Sequence, residues 1–270
     1  MLSSTTVNTG IGFLPIIRSS SSRSSRSSRS SKSIKSSKAP VLHRNSTGDD
    51  RMKKALVQAS DERRETDSDS DERPVIVIDN YDSFTYNLVQ YLGDCGIKNP
   101  IVFKNDERTV EEIRKMNPKG IMVSPGPGRP EDSGISLEIV EKLGPEFGVF
   151  GVCMGHQCIG QVFGGTIERA PKGLMHGKSS KVFHKTDCDT VLNGLSSPFN
   201  AARYHSLVIS SENFPDAELE NIAWTEDDVC MAVKHRRYPK IQGVQFHPES
   251  IITDNGLTII KNWVKLINEV

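Results

Sequence analysis

The first 48 residues contain no aspartate or glutamate, although they carry eight lysines and arginines. The rest of the chain is informative through further gaps. No run approaches the ~18 consecutive apolar residues of a membrane-spanning helix, so a soluble protein with no membrane partner is expected. The five cysteines stand singly at 95, 153, 158, 188 and 230. With no C-x-x-C pair, they argue against a disulfide framework or a zinc ribbon and for free thiols in a reducing compartment. No G-x-G-x-x-G opens a helix and no Gly-Lys-Ser/Thr closes a glycine-rich loop, which leaves out the dinucleotide fingerprint and the phosphate-binding loop. No internal repeat is present. Residues 73–270 hold 25 acids and 21 bases, a net charge of −4. A mildly acidic body without a basic patch argues against nucleic acid or an anionic membrane as the main partner.

What the N-terminus does contain is serine and arginine, as in SSSSRSSRSSRSSKSIKSSK. Such a stretch cannot bury enough apolar surface to offset its ordering entropy. Its composition is that of an organelle transit peptide, with the serine bias pointing to the plastid. The apolar piece IGFLPII (11–17) is too short and too proline-broken for a secretory signal core. Residues 1–50 are read as a disordered transit peptide, residues 51–73 as a charged linker around DERRETDSDSDER, and cleavage is placed within 45–73. The folded unit is expected over 74–270.

From Pro74 onward, short apolar runs alternate with amphipathic ones. PVIVID (74–79) reads as a strand covered on both faces. Asp82 or Ser83 can cap the helix that follows, with Phe84, Leu88, Leu92 and Cys95 on one face and Gly96 as its stop. PIVFK (100–104) and GIMVS (120–124) are strands flanking a helix over 109–117. A helix over 133–143 and a strand FGVFGVC (147–153) come next. KSSKVFH, RYHSLVIS, ELENIAWTED and VCMAVKH read as short strands, some antiparallel, and IQGVQF (241–246) returns to a buried strand. A last helix over 256–268 offers Leu257, Ile260, Val264 and Ile267 to the core. The expected fold class is α/β: a mostly parallel central sheet flanked by helices, with a smaller antiparallel strand addition in the C-terminal half.

Within this pattern Cys153 falls at the carboxyl end of a strand, where α/β sheets bind ligands. Gly151-x-Cys153-x-Gly155 has the form of a nucleophile elbow with sulfur in place of oxygen. The helix after it aims free N–H groups at the sulfur, which favours thiolate, and the Met154 N–H can receive an oxyanion. A thiol nucleophile needs a base and the base an orienter. In GVQFHPES (243–250), His247 ends a strand and Glu249 follows two residues on, where an extended chain projects to the same side. Cys153, His247 and Glu249 form a candidate triad. The stiff loop SPGPGRPEDSG (124–134) lets a ligand approach its backbone closely and can complete the oxyanion hole. Cys158 is expected in the core, and His156 in a structural hydrogen bond.

These pieces, PGPG at 125–128, GVCMGHQ at 151–157 and VQFHPES at 244–250, resemble in that order the class I (triad-type) glutamine amidotransferase domain. The resemblance spans residues 75–268, with further matches at FGG (163–165), HGK (176–178) and YHSL (204–207). Within that family DNYDSFTYNLVQYLG (79–93) is most similar to the small subunits of anthranilate synthase and the glutaminases of aminodeoxychorismate synthase. The resemblance implies a flavodoxin-like sheet and a glutaminase in which Cys153 attacks the side-chain amide of L-glutamine. It implies that Gly126, Pro127, Gly128, Met154, Gln157, Ser206 and Leu207 hold the substrate and its oxyanion. It also implies a separate synthase (alpha) subunit that aminates chorismate, in a heterodimer or heterotetramer, with Tyr81, Asp82, Phe84 and the PGPG and HGK loops facing it. No cofactor is expected in this chain, while the partner synthase subunit is expected to use Mg2+. The expected compartment is the plastid stroma. The alternatives are service to aminodeoxychorismate synthase and a non-catalytic regulatory or binding subunit.

Overall fold

Strand β1 (Val75–Asp79) is buried along its whole length. Val75 and Val77 enter one hydrophobic cluster, and Ile76 and Ile78 enter another. An uninterrupted apolar run is what a strand with both faces covered requires. This computed structural model describes residues 72–186 and 189–269. The expected transit peptide, most of the linker and Cys188 lie outside the described residues.

Helix α1 (Thr85–Asp94) follows β1. Neither Asp82 nor Ser83 is its cap; Phe84 is, and it has no side-chain cap bond. The turn is organised one step earlier. Asp79 accepts from the Asp82 N–H (3.1 Å) and the Thr85 hydroxyl (2.9 Å), and Asp82 accepts from the Phe84 N–H (2.8 Å). Phe84 is therefore half-exposed, while Leu88 and Leu92 are buried. Strand β2 (Ile101–Lys104) leads to α2 (Val110–Lys115), which opens on a Thr109/Glu112 capping box, each side chain satisfying a helix-end N–H. After β3 (Gly120–Val123), a 3-10 turn at Pro130–Asp132 precedes α3 (Ser136–Lys142), so the helix expected from 133 starts three residues later. A short helix, α4 (Gly144–Phe147), takes the first residue of the expected strand, and β4 runs over Val149–Val152.

Helix α5 (Met154–Val162) follows β4 directly. The later strands are β5 (Ile167–Arg169), β6 (Lys178–His184), β7 (Phe199–Arg203), β8 (Leu207–Ile209), β9 (Leu219–Thr225), β10 (Cys230–His235) and β11 (Gln242–Val244), and helix α6 (Gly256–Asn268) closes the fold. RYHSLVIS thus spans two strands rather than one, with β7 ending at Arg203 and β8 starting at Leu207.

Nine strands form one sheet in the order β2-β1-β3-β4-β11-β10-β9-β6-β7, and β5 pairs with β8 separately. The first five are mutually parallel. The 2-1-3-4 order with β11 next is the flavodoxin-like arrangement. From β11 outward each pairing is antiparallel. Helices α1 and α6 share the cluster on one face, α3 and α5 that on the other. Helix α6 buries Ile260, Val264 and Ile267 together with Ile259 and Trp263. Leu257 is 39% exposed and not in the core. Helical side chains lean toward the N-terminus, so a first-turn residue leans past the start of its own helix.

Candidate active site

Cys153 joins β4 to α5 with φ 52° and ψ −95°, a left-handed conformation uncommon for any residue with a Cβ. Its N–H donates to the Val244 carbonyl (2.8 Å), and its carbonyl accepts from the Gln157 N–H (3.0 Å). The elbow is thereby tied at once to the neighbouring strand and to its own helix. The two glycines make this packing possible. A Cβ on Gly151 would stand 2.4 Å from the Gly155 carbonyl, and one on Gly155 would stand 2.4 Å from the Val123 oxygen. Met154 opens α5, so its N–H is among the first four that have no acceptor within the helix.

His247 lies just past the end of β11, the strand next to β4. Its N–H donates to the Ala202 carbonyl of β7 (3.0 Å), and the Thr253 hydroxyl donates to its carbonyl (2.6 Å). Its Nδ1 lies 2.6 Å from Glu249 Oε1, with both side chains buried. Burial alone would push the imidazole down. The neighbouring Cys153 sulfur, together with the hydrogen bond to Glu249 and its charge, outweighs it, leaving His247 well above its ordinary value. His247 Nε2 has no hydrogen bond of good geometry; substrate-free sites commonly hold such contacts long. The Tyr204 ring packs edge-on at 5.0 Å between centroids, and Phe84 at 6.3 Å.

The loop after β3 is anchored by a residue the sequence reading did not single out. Asn80 donates from its backbone N–H to Ser124 Oγ (2.9 Å) and from its amide to the Ser124 carbonyl (3.0 Å). Its Oδ1 accepts from Asn105 and Ser136, each at 2.9 Å. Gly126 packs against Asn80, whereas Pro127 and Gly128 stand exposed further along the loop. Gln157 is buried and donates to the Leu207 carbonyl (3.1 Å) and to Gln245 Oε1 (3.2 Å). Ser206, half-buried, pairs through its carbonyl with the Ala170 N–H (2.8 Å). Cys153, His247, Glu249, Gln157 and Leu207 thus meet in one linked cluster at the carboxyl ends of the strands. Ser206 adjoins that cluster through the chain. A cleft of about 1100 Å³ lies at the opposite strand ends, lined by Val75, Ile97, Lys98 and Ile267.

Two other histidines are buried nearby and kept neutral. Burial and the Arg203 charge bring His205 down to about 3. Burial brings His156 down to about 4, opposed only weakly by the Gly243 backbone. Contrary to expectation, neither ring nitrogen of His156 makes a well-formed hydrogen bond. Cys158 is fully buried, as expected, beside Ser133, and its thiol is pushed up to about 12.

A strained cysteine at the tip of a parallel strand, faced by a carboxylate-held imidazole, defines a thiol-nucleophile site on a flavodoxin-like sheet. The chain belongs to the class-I glutamine amidotransferases, whose family model matches residues 76–267. It is 59% identical over 210 residues to anthranilate synthase beta subunit 1, chloroplastic, of Oryza sativa subsp. japonica, covering 77% of this chain and 71% of that one. It is 58% identical over 197 residues to the protein of the same name from Arabidopsis thaliana, covering 73% and 71%. The crystal structure of a glutamine amidotransferase from Thermotoga maritima shares the fold with a TM-score of 0.56 at 14% identity, covering 74% of this chain and all of that one.

Two outcomes test this geometry. Gly155→Ala must displace the Val123 backbone or the elbow, and is expected to cost at least about 1–3 kcal/mol, read as a lower urea midpoint. His156 has a folded value below its ordinary one, so its contribution is complete above pH 6.5 and is lost as pH falls toward 4. Between pH 8 and pH 5 this group alone should remove about 2 kcal/mol of stability. Urea unfolding at the two pH values should show a smaller loss for His156→Gln than for wild type; equal losses would contradict the assignment.

Proposed function

We propose that this chain is the glutaminase subunit of a chloroplast anthranilate synthase, freeing ammonia from L-glutamine for a separate synthase (alpha) subunit. The observation that carries this reading is the buried 2.6 Å His247–Glu249 pair facing a cysteine held at a strand-to-helix elbow. The identity to plant beta subunits supports the choice of reaction and compartment.

The Cys153 sulfur attacks the side-chain amide carbon of glutamine. A C–S bond forms as the thiol proton passes to His247 Nε2. The amide oxygen becomes an oxyanion, received by the Met154 N–H and by the glycine N–H groups of the 125–128 loop, Pro125 and Pro127 having none to offer. Collapse of the adduct breaks the C–N bond, and His247 returns the proton to the departing ammonia. Water then cleaves the thioester to glutamate and regenerates the thiol. Glu249 keeps Nδ1 toward itself, so that Nε2 serves the sulfur, and it stabilises the imidazolium. Gln157, Ser206 and Leu207 hold the body of the substrate.

Ammonia near neutral pH is mostly protonated and not nucleophilic, so it has to be passed directly to a bound partner. The connections beside the triad carry the apolar surface for such a contact. Tyr81, Phe84, Tyr86 and Leu174 are exposed, and Ile251 is 99% exposed. Tyr81 is not a packing residue: its hydroxyl donates to Asp106 (2.8 Å), and Lys104 lies over its ring. His176 of the HGK loop meets Tyr204 edge-on at 5.7 Å. We place the synthase subunit on this face, in a heterodimer or heterotetramer. We further propose that residues 1–50 are the transit peptide and 51–73 the linker.

With a synthase subunit bound, Cys153→Ser should lower ammonia release from glutamine at least about a thousand-fold, leaving ammonia-driven anthranilate formation by the partner intact. Equal release from both proteins would end the catalytic reading. Affinity capture from chloroplast extract should recover an anthranilate-forming chain, with the mass of the mature subunit placing its start within residues 45–73. Recovery of only an aminodeoxychorismate-forming chain would reassign the pathway.

A further inference from the structure

The ladder between β4 and β11 pairs Gly151 with Gly243 and Val152 with Val244. One step further, that register sets Gln245 beside Cys153. Gln245 is wholly buried, and its Nε2 lies 3.5 Å from the Cys153 sulfur. It precedes His247 by two residues, in the segment that leaves β11 after Val244.

The polarity of this contact follows from groups whose roles are fixed. Arg203 can only donate, and its Nε donates to His205 Nε2 (3.0 Å). Neutral His205 must then carry its proton on Nδ1, which lies 3.0 Å from the Leu207 carbonyl. A main-chain carbonyl can only accept, so Gln157 presents its NH2 there, and the same NH2 reaches Gln245. Gln245 must therefore turn its Oε1 to Gln157 and its NH2 to the sulfur. The series starts at a buried guanidinium, passes through a backbone carbonyl, and ends in an N–H aimed at the nucleophile.

We infer that Gln245 is a hydrogen-bond donor to the Cys153 thiolate, holding the sulfur in place and favouring its charged form for attack. A hydrogen bond to an ionised acceptor is roughly twice as strong as one to a neutral acceptor. The contact therefore strengthens as the thiol proton leaves for His247, and it stabilises the reactive form more than the resting one. The inference rests on the reading of Cys153 as the nucleophile.

The test is the pH profile of iodoacetamide alkylation of the full chain, taking as the Cys153 signal the phase absent from Cys153→Ser. Gln245→Met removes the donor at similar volume. It should move the midpoint of that phase up by about one pH unit and slow the reaction at pH 7 about ten-fold. Gln245→Glu keeps the acceptor toward Gln157 but sets an anion against the sulfur, and should move the midpoint further. An unchanged midpoint in a folded Gln245→Met protein overturns the inference. If that variant does not fold, an unchanged midpoint in Gln245→Glu overturns it and an upward shift supports it. Absence of any Cys153-dependent phase in wild type removes the functional reading, and this inference with it.

Discussion

The site depends on one backbone conformation, the positive φ of Cys153. A residue with a Cβ held there costs on the order of 1–3 kcal/mol, and persists only where its surroundings leave it no alternative. Here the surroundings are the Val244 carbonyl on one side and the close approach of Gly151 to Gly155 and of Gly155 to Val123 on the other. Strand and helix consequently meet with no spacer between them, and the sulfur is lifted to the tip of the sheet at the mouth of a helix N-terminus. The other groups of the site are arranged around a point that this strain defines.

Three buried histidines around that point are held in different states by what faces them. His156 meets mostly apolar surroundings and stays neutral. His205 faces a guanidinium and is pushed lower still. His247 faces a thiol and a carboxylate and is driven the other way, although it is as deeply buried. The same side chain at the same depth is thus either held neutral or drawn toward its protonated form. Separation of protonation behaviour by environment is the usual way a fold assigns acid and base roles.

Much of this was legible in the chain. The apolar run PVIVI read as a covered strand, and the glycines of GVCMGHQ marked a close backbone approach. Other features required three dimensions. Gln245 lay inside the motif that identified His247, two residues away, but a lone glutamine just past a strand end gives no sign of what stands beside it in space. Asn80 acts on Ser124, 44 residues later, a link no local pattern encodes. FNAAR (199–203) shows no clear alternation and was not recognised as a strand, yet it forms the edge of the large sheet. Asp82 and Ser83 had the chemistry of caps, but Asp79 drew the turn residues to itself first.

The order of strands in space also bears on how the protein comes into being. Strand β11, the last in sequence among those described, lies in the middle of the sheet, between β4 and β10. During synthesis the β4 edge stays uncovered until nearly the whole chain has left the ribosome, and an open apolar strand edge is an invitation to mispairing. His247 and Glu249 arrive on that same segment, just past β11. Closing the sheet and bringing His247 and Glu249 to Cys153 therefore depend on the same segment, and a chain cut short before β11 would lack both.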